Sequence, residues 1–188
     1  MSTLTNVCNI EHSLLLIVDM QHKLSAVMPE IDAQMVLDNC INLLHAADIL
    51  KIPVLLTEQY PQGLGPTDSE LSKHLPEQSR NFEKTGFSCC ASKNFTQALA
   101  DTRCSQIIVA GQECHVCVLQ TTLELLHLGY QVFVVEDAVC SRQARHKHNA
   151  LQRMQQQGAI ISNHESVLFE WLKDASHPAF KAIARLVR

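Results

Sequence analysis

Short runs of aliphatic and β-branched residues alternate along the whole chain with longer stretches of helical periodicity, and that alternation constrains the fold more than any other feature. The runs at 14–18 (LLLIV), 53–56 (PVLL), 107–110 (IIVA), 132–135 (VFVV) and 159–161 (AII) read as buried strands, and a weaker strand is expected at 80–83. Between them, the segments 32–50, 94–100, 114–128 and 143–157 repeat apolar residues every three or four positions, as helices with one buried face do. In the first of these the inner side is expected to hold Met35, Val36, Ile41, Leu43, Leu44 and Ala47. Gly129 and Gly158 each follow a helical stretch, where a left-handed residue closes a helix. Two more helices are expected to close the chain. Strands that are apolar on both sides need helices on both faces, so the pattern predicts a mostly parallel α/β sheet with right-handed crossovers. The stretch 59–78, with YPQGLGPT, reads as a long loop bordering a pocket.

A chain of 188 residues fits one domain, here 1–188 with its core at about 10–175. Its net charge is −4 and no basic stripe stands out, which argues against nucleic acid as a partner. The longest apolar run, at 14–18, is too short to span a bilayer, so no membrane partner is expected. The N-terminal MSTLTNVCNIEHS has neither a basic nor an apolar leader region. Cys40, Cys104 and Cys140 lie within apolar patterns, where a free cysteine acts as a small hydrophobe, and a reducing cytoplasm is the expected compartment.

In open α/β sheets ligands bind beyond the carboxyl ends of the strands. The residues expected there are Asp19, then Thr57, Glu58 and Gln59, then Lys84, then Gly111, Gln112, Glu113 and Cys114 to Cys117, and finally Glu136 and Asp137. Cys117 falls near the start of a helix that follows a strand, a place that favours a thiolate. A free thiol is only about 3% ionised at pH 7. A carboxylate beside the sulfur would lower that fraction further, and a lysine in the same place restores the balance. Asp19, Lys84 and Cys117 therefore make sense as a set, with Asp19 accepting the thiol proton and returning it to a leaving amine. Three rival readings exist. Cys114 and Cys117 could form a redox Cys-x-x-Cys, Cys89 and Cys90 could join them around zinc, or the chain could be a silent binding or scaffold protein. A Cys117 with a raised pKa would favour the last.

The segments IVDMQ (with Asp19 and Gln21), FEKTGFS (with Lys84 and Phe87) and GQECHVCV (with Cys117) resemble the isochorismatase-like cysteine hydrolases, and GYQVFVVEDAVCSR fits the same family. The resemblance spans about 10–175, and TEQYPQGLGPT is similar to a subgroup of isochorismatase domain-containing proteins. It implies a three-layer α/β/α sandwich with a six-stranded Rossmann-like sheet, and it assigns Asp19 as base, Lys84 as electrostatic partner and Cys117 as nucleophile. It further implies a cis peptide at Gln112–Glu113 beside the oxyanion hole, and Gln21, Tyr60 and Phe87 are candidates to contact a small-molecule substrate. Members with a metal carry Asp-x-His after the second strand. This chain has Glu58, Gln59 and Tyr60 there, so no metal and no cofactor are expected. The expected activity is hydrolysis of a small amide by a homo-oligomer, dimer or tetramer, assembled through helical faces.

Overall fold

In the computed structural model, which describes residues 6–187, all six residues of β1 (Ser13–Val18) are buried. A strand buries both faces only when helices cover both sides of its sheet. Residues 1–5, the start of the stretch read for a leader, lie outside the described residues. From β1 the chain passes through α1 (His22–Ser25) and α2 (Glu30–Leu50) to β2 (Val54–Gln59), then α3 (Pro61–Leu64), α4 (Ser69–Ser72) and β3 (Arg80–Lys84). It continues through α5 (Lys93–Asp101), β4 (Gln106–Gln112), α6 (Leu119–His127), β5 (Gln131–Cys140), α7 (Ala144–Gln156) and β6 (Ile160–Ser162). The last elements are α8 (His164–Leu172) and α9 (Phe180–Ile183). All strand pairs are parallel, in the order β3-β2-β1-β4-β5-β6. Strand order reverses between β1 and β4, and the carboxyl ends of these two strands frame the crevice where such sheets bind ligands.

The two layers divide β1 by its period of two. Leu15 and Ile17 pack with Val36, Cys40 and Leu44 of α2 and Leu168 and Trp171 of α8. Leu14, Leu16 and Val18 pack with Phe95 of α5, Leu125 of α6 and Met154 of α7. Trp171 satisfies its indole N–H by donating to Ser13 Oγ at 3.0 Å, so its whole ring can be buried. At Gly111 a side chain is impossible, because a Cβ would stand 2.0 Å from Val18 O. That glycine lets β4 close against β1 one residue before Asp19.

Four expectations change. The buried stripe of α2 is Val36, Cys40, Leu43, Leu44 and Ala47, while Met35, one residue and so about 100° away, is exposed and Ile41 is only partly buried. The strand expected to end at 135 continues to Cys140 through an irregularity, since Val109 pairs with Val134 but Gly111 with Val139. The extra residues, Glu136 and Asp137 among them, leave the buried pattern there. The helix expected from 114 opens as a π-helical turn, Cys114–Val118, because Glu113 O accepts from both Val116 N and Val118 N, at 3.0 and 3.3 Å. The 59–78 stretch contains α3 and α4, and the Glu58 carboxylate ties it down by accepting from Thr67 N and Thr67 Oγ1 at 2.6 and 2.7 Å. Among the described residues no helix is long and apolar enough to cross a membrane.

Candidate active site

Asp19 is the first residue beyond β1 and is held at φ 49°, in the left-handed region that a side chain with a Cβ rarely enters. Several bonds fix it there. Its N–H donates to Thr57 O at 3.1 Å, and its carbonyl accepts from Gln21 N at 2.8 Å and Gln112 Nε2 at 3.3 Å. The carboxylate is fully buried. Its Oδ2 accepts from Lys84 Nζ at 2.7 Å and its Oδ1 from Thr57 Oγ1 at 2.7 Å. Lys84, the last residue of β3 rather than the one after it, also donates to Gln59 Oε1 at 2.7 Å and Phe87 O at 3.0 Å. Burial works against its ammonium, but the Asp19 charge and the bond to it hold the pKa above its usual range. Such a pair is viable in the interior because each charge has its partner and further hydrogen bonds.

Cys117 sits in the π-helical turn, 5% exposed, with its Sγ 4.0 Å from Gln59 Oε1 and near enough to the Asp19 carboxylate to feel its charge. Burial first, then Asp19, push its pKa up, and the opposing pull of Lys84 does not cancel them. Burial and the neighbouring carboxylate thus favour the neutral thiol, where the sequence reading balanced a thiolate against lysine.

The remaining candidates take different places. The Gln112–Glu113 peptide is cis. The Gln112 amide holds the turn after β1, donating to Asp19 O and to Ser25 Oγ at 2.9 Å, while the Glu113 carboxylate accepts from Arg142 N and Nε at 3.2 and 3.1 Å. Gln21 serves the fold. It donates to Gln59 O and Gly65 O and accepts from Gln59 N, so both its N–H groups are committed. Tyr60 and Phe87 are each 52% exposed and lie on the rim beside Gln59 and Lys84 in sequence. Cys114 faces α7, its thiol donating to Lys147 O at 3.9 Å, and burial pushes its pKa up to about 12. Cys114 and Cys117 thus address different partners, unlike the two thiols of a redox pair. Asp137 accepts from His164 at the start of α8, and Arg142 pairs with Glu113.

Thr57 and Gln59 acquire roles that one strand of sequence did not assign. Both point from the end of β2 to the same side, where Thr57 grips Asp19 and Gln59 grips Lys84. Cys89, weighed before only as a zinc ligand, lies 3.5 Å from Thr57 Oγ1, and burial raises its pKa to about 11. The positions at the end of β2 do not fit a metal: Glu58 is engaged by Thr67, Gln59 by Lys84, and Tyr60, just beyond the strand, is half exposed. Among the described residues no three His, Cys, Asp or Glu side chains gather as ligands. A cleft of about 410 Å³ lies beside β3, lined by Gln62, Glu83, Lys84, Gly86 and Ser92 among others, and shares Lys84 with the buried site. No Asp or Glu stands between Asp137 and Glu165, a stretch that carries Arg142, Arg145, Lys147 and Arg153.

The isochorismatase domain model matches residues 13–166. The human isochorismatase domain-containing protein 2 is 40% identical over 181 residues, covering 94% of this chain and 83% of that one. The structure of MAR1 ribonuclease from Caenorhabditis elegans superposes with a TM-score of 0.91 at 37% identity, over 96% of this chain and 92% of that one. The YcaC gene product of Escherichia coli, described as an octameric hydrolase of unknown specificity, gives 0.90 at 26% identity, over 98% and 91%.

Proposed function

Since this chain belongs to the isochorismatase domain family, we propose that it is a cysteine-dependent hydrolase of a small amide or related non-peptide carbon–nitrogen bond. The observation that carries the reading is the buried Asp19–Lys84 pair, whose carboxylate acts on the Cys117 thiol. With its pKa raised, less of the resting thiol is ionised than the few per cent of a free cysteine, so the proton has to leave as the sulfur attacks. Asp19 accepts that proton while Cys117 Sγ bonds to the carbonyl carbon. Lys84 keeps the carboxylate in place and offsets the charge on oxygen and sulfur. Two N–H groups of the turn, those of Val116 and Val118, are spent on Glu113 O, and the oxyanion is assigned to the turn's other N–H groups, that of Cys117 among them. Collapse of the adduct breaks the carbon–nitrogen bond as Asp19 returns its proton to the amine, leaving a thioester. Water, deprotonated by Asp19, then releases the acid and the thiol. No cofactor enters any step.

A homo-oligomer in a reducing cytoplasm completes the reading, the first supported by the octameric E. coli relative. A second reading is a silent binding protein, favoured by the burial of Cys117 and its nearness to Asp19, which push the thiol's pKa up. The C. elegans ribonuclease makes RNA a competing substrate, with the acid-free stretch around α7 as the place to hold it. The test is a panel of small amides and a single-stranded RNA, assayed with wild type and Cys117→Ala. Amide turnover lost in Cys117→Ala supports the proposal. RNA cleavage that survives in Cys117→Ala, with no amide turned over, overturns it.

A further inference from the structure

Two groups bind the Asp19 carboxylate, Lys84 Nζ on Oδ2 and Thr57 Oγ1 on Oδ1, and its charge also acts on the Cys117 thiol. A carboxylate paired with a lysine has no proton to give, so the Thr57 hydroxyl must be the donor in their 2.7 Å bond. That commits its single proton. Thr57 Oγ1 also lies 3.5 Å from Cys89 Sγ, where it is left as acceptor and Cys89 as donor. Cys89 is itself fixed, fully buried and with its backbone N–H donated to Thr121 Oγ1 at 3.0 Å. The bonds therefore run in one direction, from Cys89 S–H to Thr57 O–H to Asp19.

We propose, resting on the reading of Asp19 as the base for Cys117, that Thr57 is a positioning residue which sets the plane of the Asp19 carboxylate, and that Cys89 sets the direction of the Thr57 hydroxyl. Neither residue meets the reacting carbonyl. Without the Thr57 bond, the carboxylate is free to turn about Cβ–Cγ toward Lys84, and the thiol loses a fixed acceptor. The charged or titratable groups around Asp19 are Lys84 from β3, Cys117 from the π-helical turn and, through Thr57, Cys89 from the Cys89–Ala91 turn.

Thr57→Val, Thr57→Ser and Cys89→Ala in the full chain test this with two readouts. Carbamidomethylation of Cys117 by iodoacetamide at neutral pH, located by peptide mapping, needs no substrate. The second readout is kcat and KM on an amide that wild type turns over. Thr57→Val is expected to slow Cys117 labelling and kcat by roughly ten- to a hundred-fold, as loss of a hydrogen bond to a charged group does, with KM nearly unchanged. Thr57→Ser restores most of both, and Cys89→Ala slows both a few-fold. A wild-type labelling rate in Thr57→Val overturns the proposal, and so does a Thr57→Ser as slow as Thr57→Val. Where Thr57→Val fails to fold, unchanged labelling in Cys89→Ala overturns the relay. If no amide is turned over by wild type, the hydrolase reading fails while the labelling series still decides the role of Thr57.

Discussion

The carboxyl edge of the sheet carries an aspartate at β1 and another at β5, and the two do different work. Asp137, in the irregular part of β5, accepts from His164 N and His164 Nδ1 at 2.8 and 2.6 Å, which joins the strand to the start of α8. Burial opposes its charge, but the bonds from His164 win and keep its carboxyl below the usual range. Asp19 is deeper. Its neighbours are a lysine, a hydroxyl and a thiol, the set on which the proposed hydrolysis rests. Position at a strand end therefore brings both carboxylates to the edge where sites form, and the partners decide which one is a site.

The largest effect that separates the regions is expected from Lys84→Met. It leaves Asp19 buried without its counter-charge, and denaturant unfolding should show a loss of about 3–5 kcal/mol. Asp137→Asn should cost about 1 kcal/mol by the same measurement and leave kcat on an amide substrate near wild type. Equal losses in the two variants would break the comparison. The pH dependence sharpens it. The folded pKa of Asp137 lies below its unfolded value, so its contribution is present at neutral pH and fades as pH falls through the folded value. The melting temperatures of wild type and Asp137→Asn should therefore draw together only as pH falls below the usual carboxylate range. For Lys84 the folded pKa is the higher one, so its contribution is present below the unfolded value and is lost only as pH rises past it. The Lys84→Met deficit should persist from roughly pH 5 to 9. The smallest effects belong to the rim. Tyr60→Ala and Phe87→Ala should raise KM a few-fold and leave the melting temperature close to wild type, since both side chains are already half in water.

The fold was legible because burial on both faces of a strand leaves an unbroken apolar run, and LLLIV, IIVA and VFVV are such runs. The same logic stopped β5 at 135, where Glu136 and Asp137 bulge out of a strand whose pairing resumes at Val139. The polar residues at the strand ends were legible too, Asp19 and the Cys117 turn among them, because each follows an apolar run directly. Their partners were not. Thr57 reaches Asp19 across 38 positions and Gln21 closes on Gln59 across the same separation, and no local period records such contacts. Met35 shows the limit on a helix: it satisfies an apolar count, yet one residue of rotation takes it out of the core. The state of the Cys117 thiol was equally hidden, since it depends on how deeply the turn is buried rather than on which residues it contains.

The most direct test of the account is intact-mass analysis of wild type quenched within a turnover of an amide it hydrolyses. The account predicts a mass gain equal to the acyl group, mapped by peptide analysis to Cys117 and absent from Cys117→Ala, which also shows no turnover. Wild-type turnover by Cys117→Ala, with no adduct on the native chain, would contradict it.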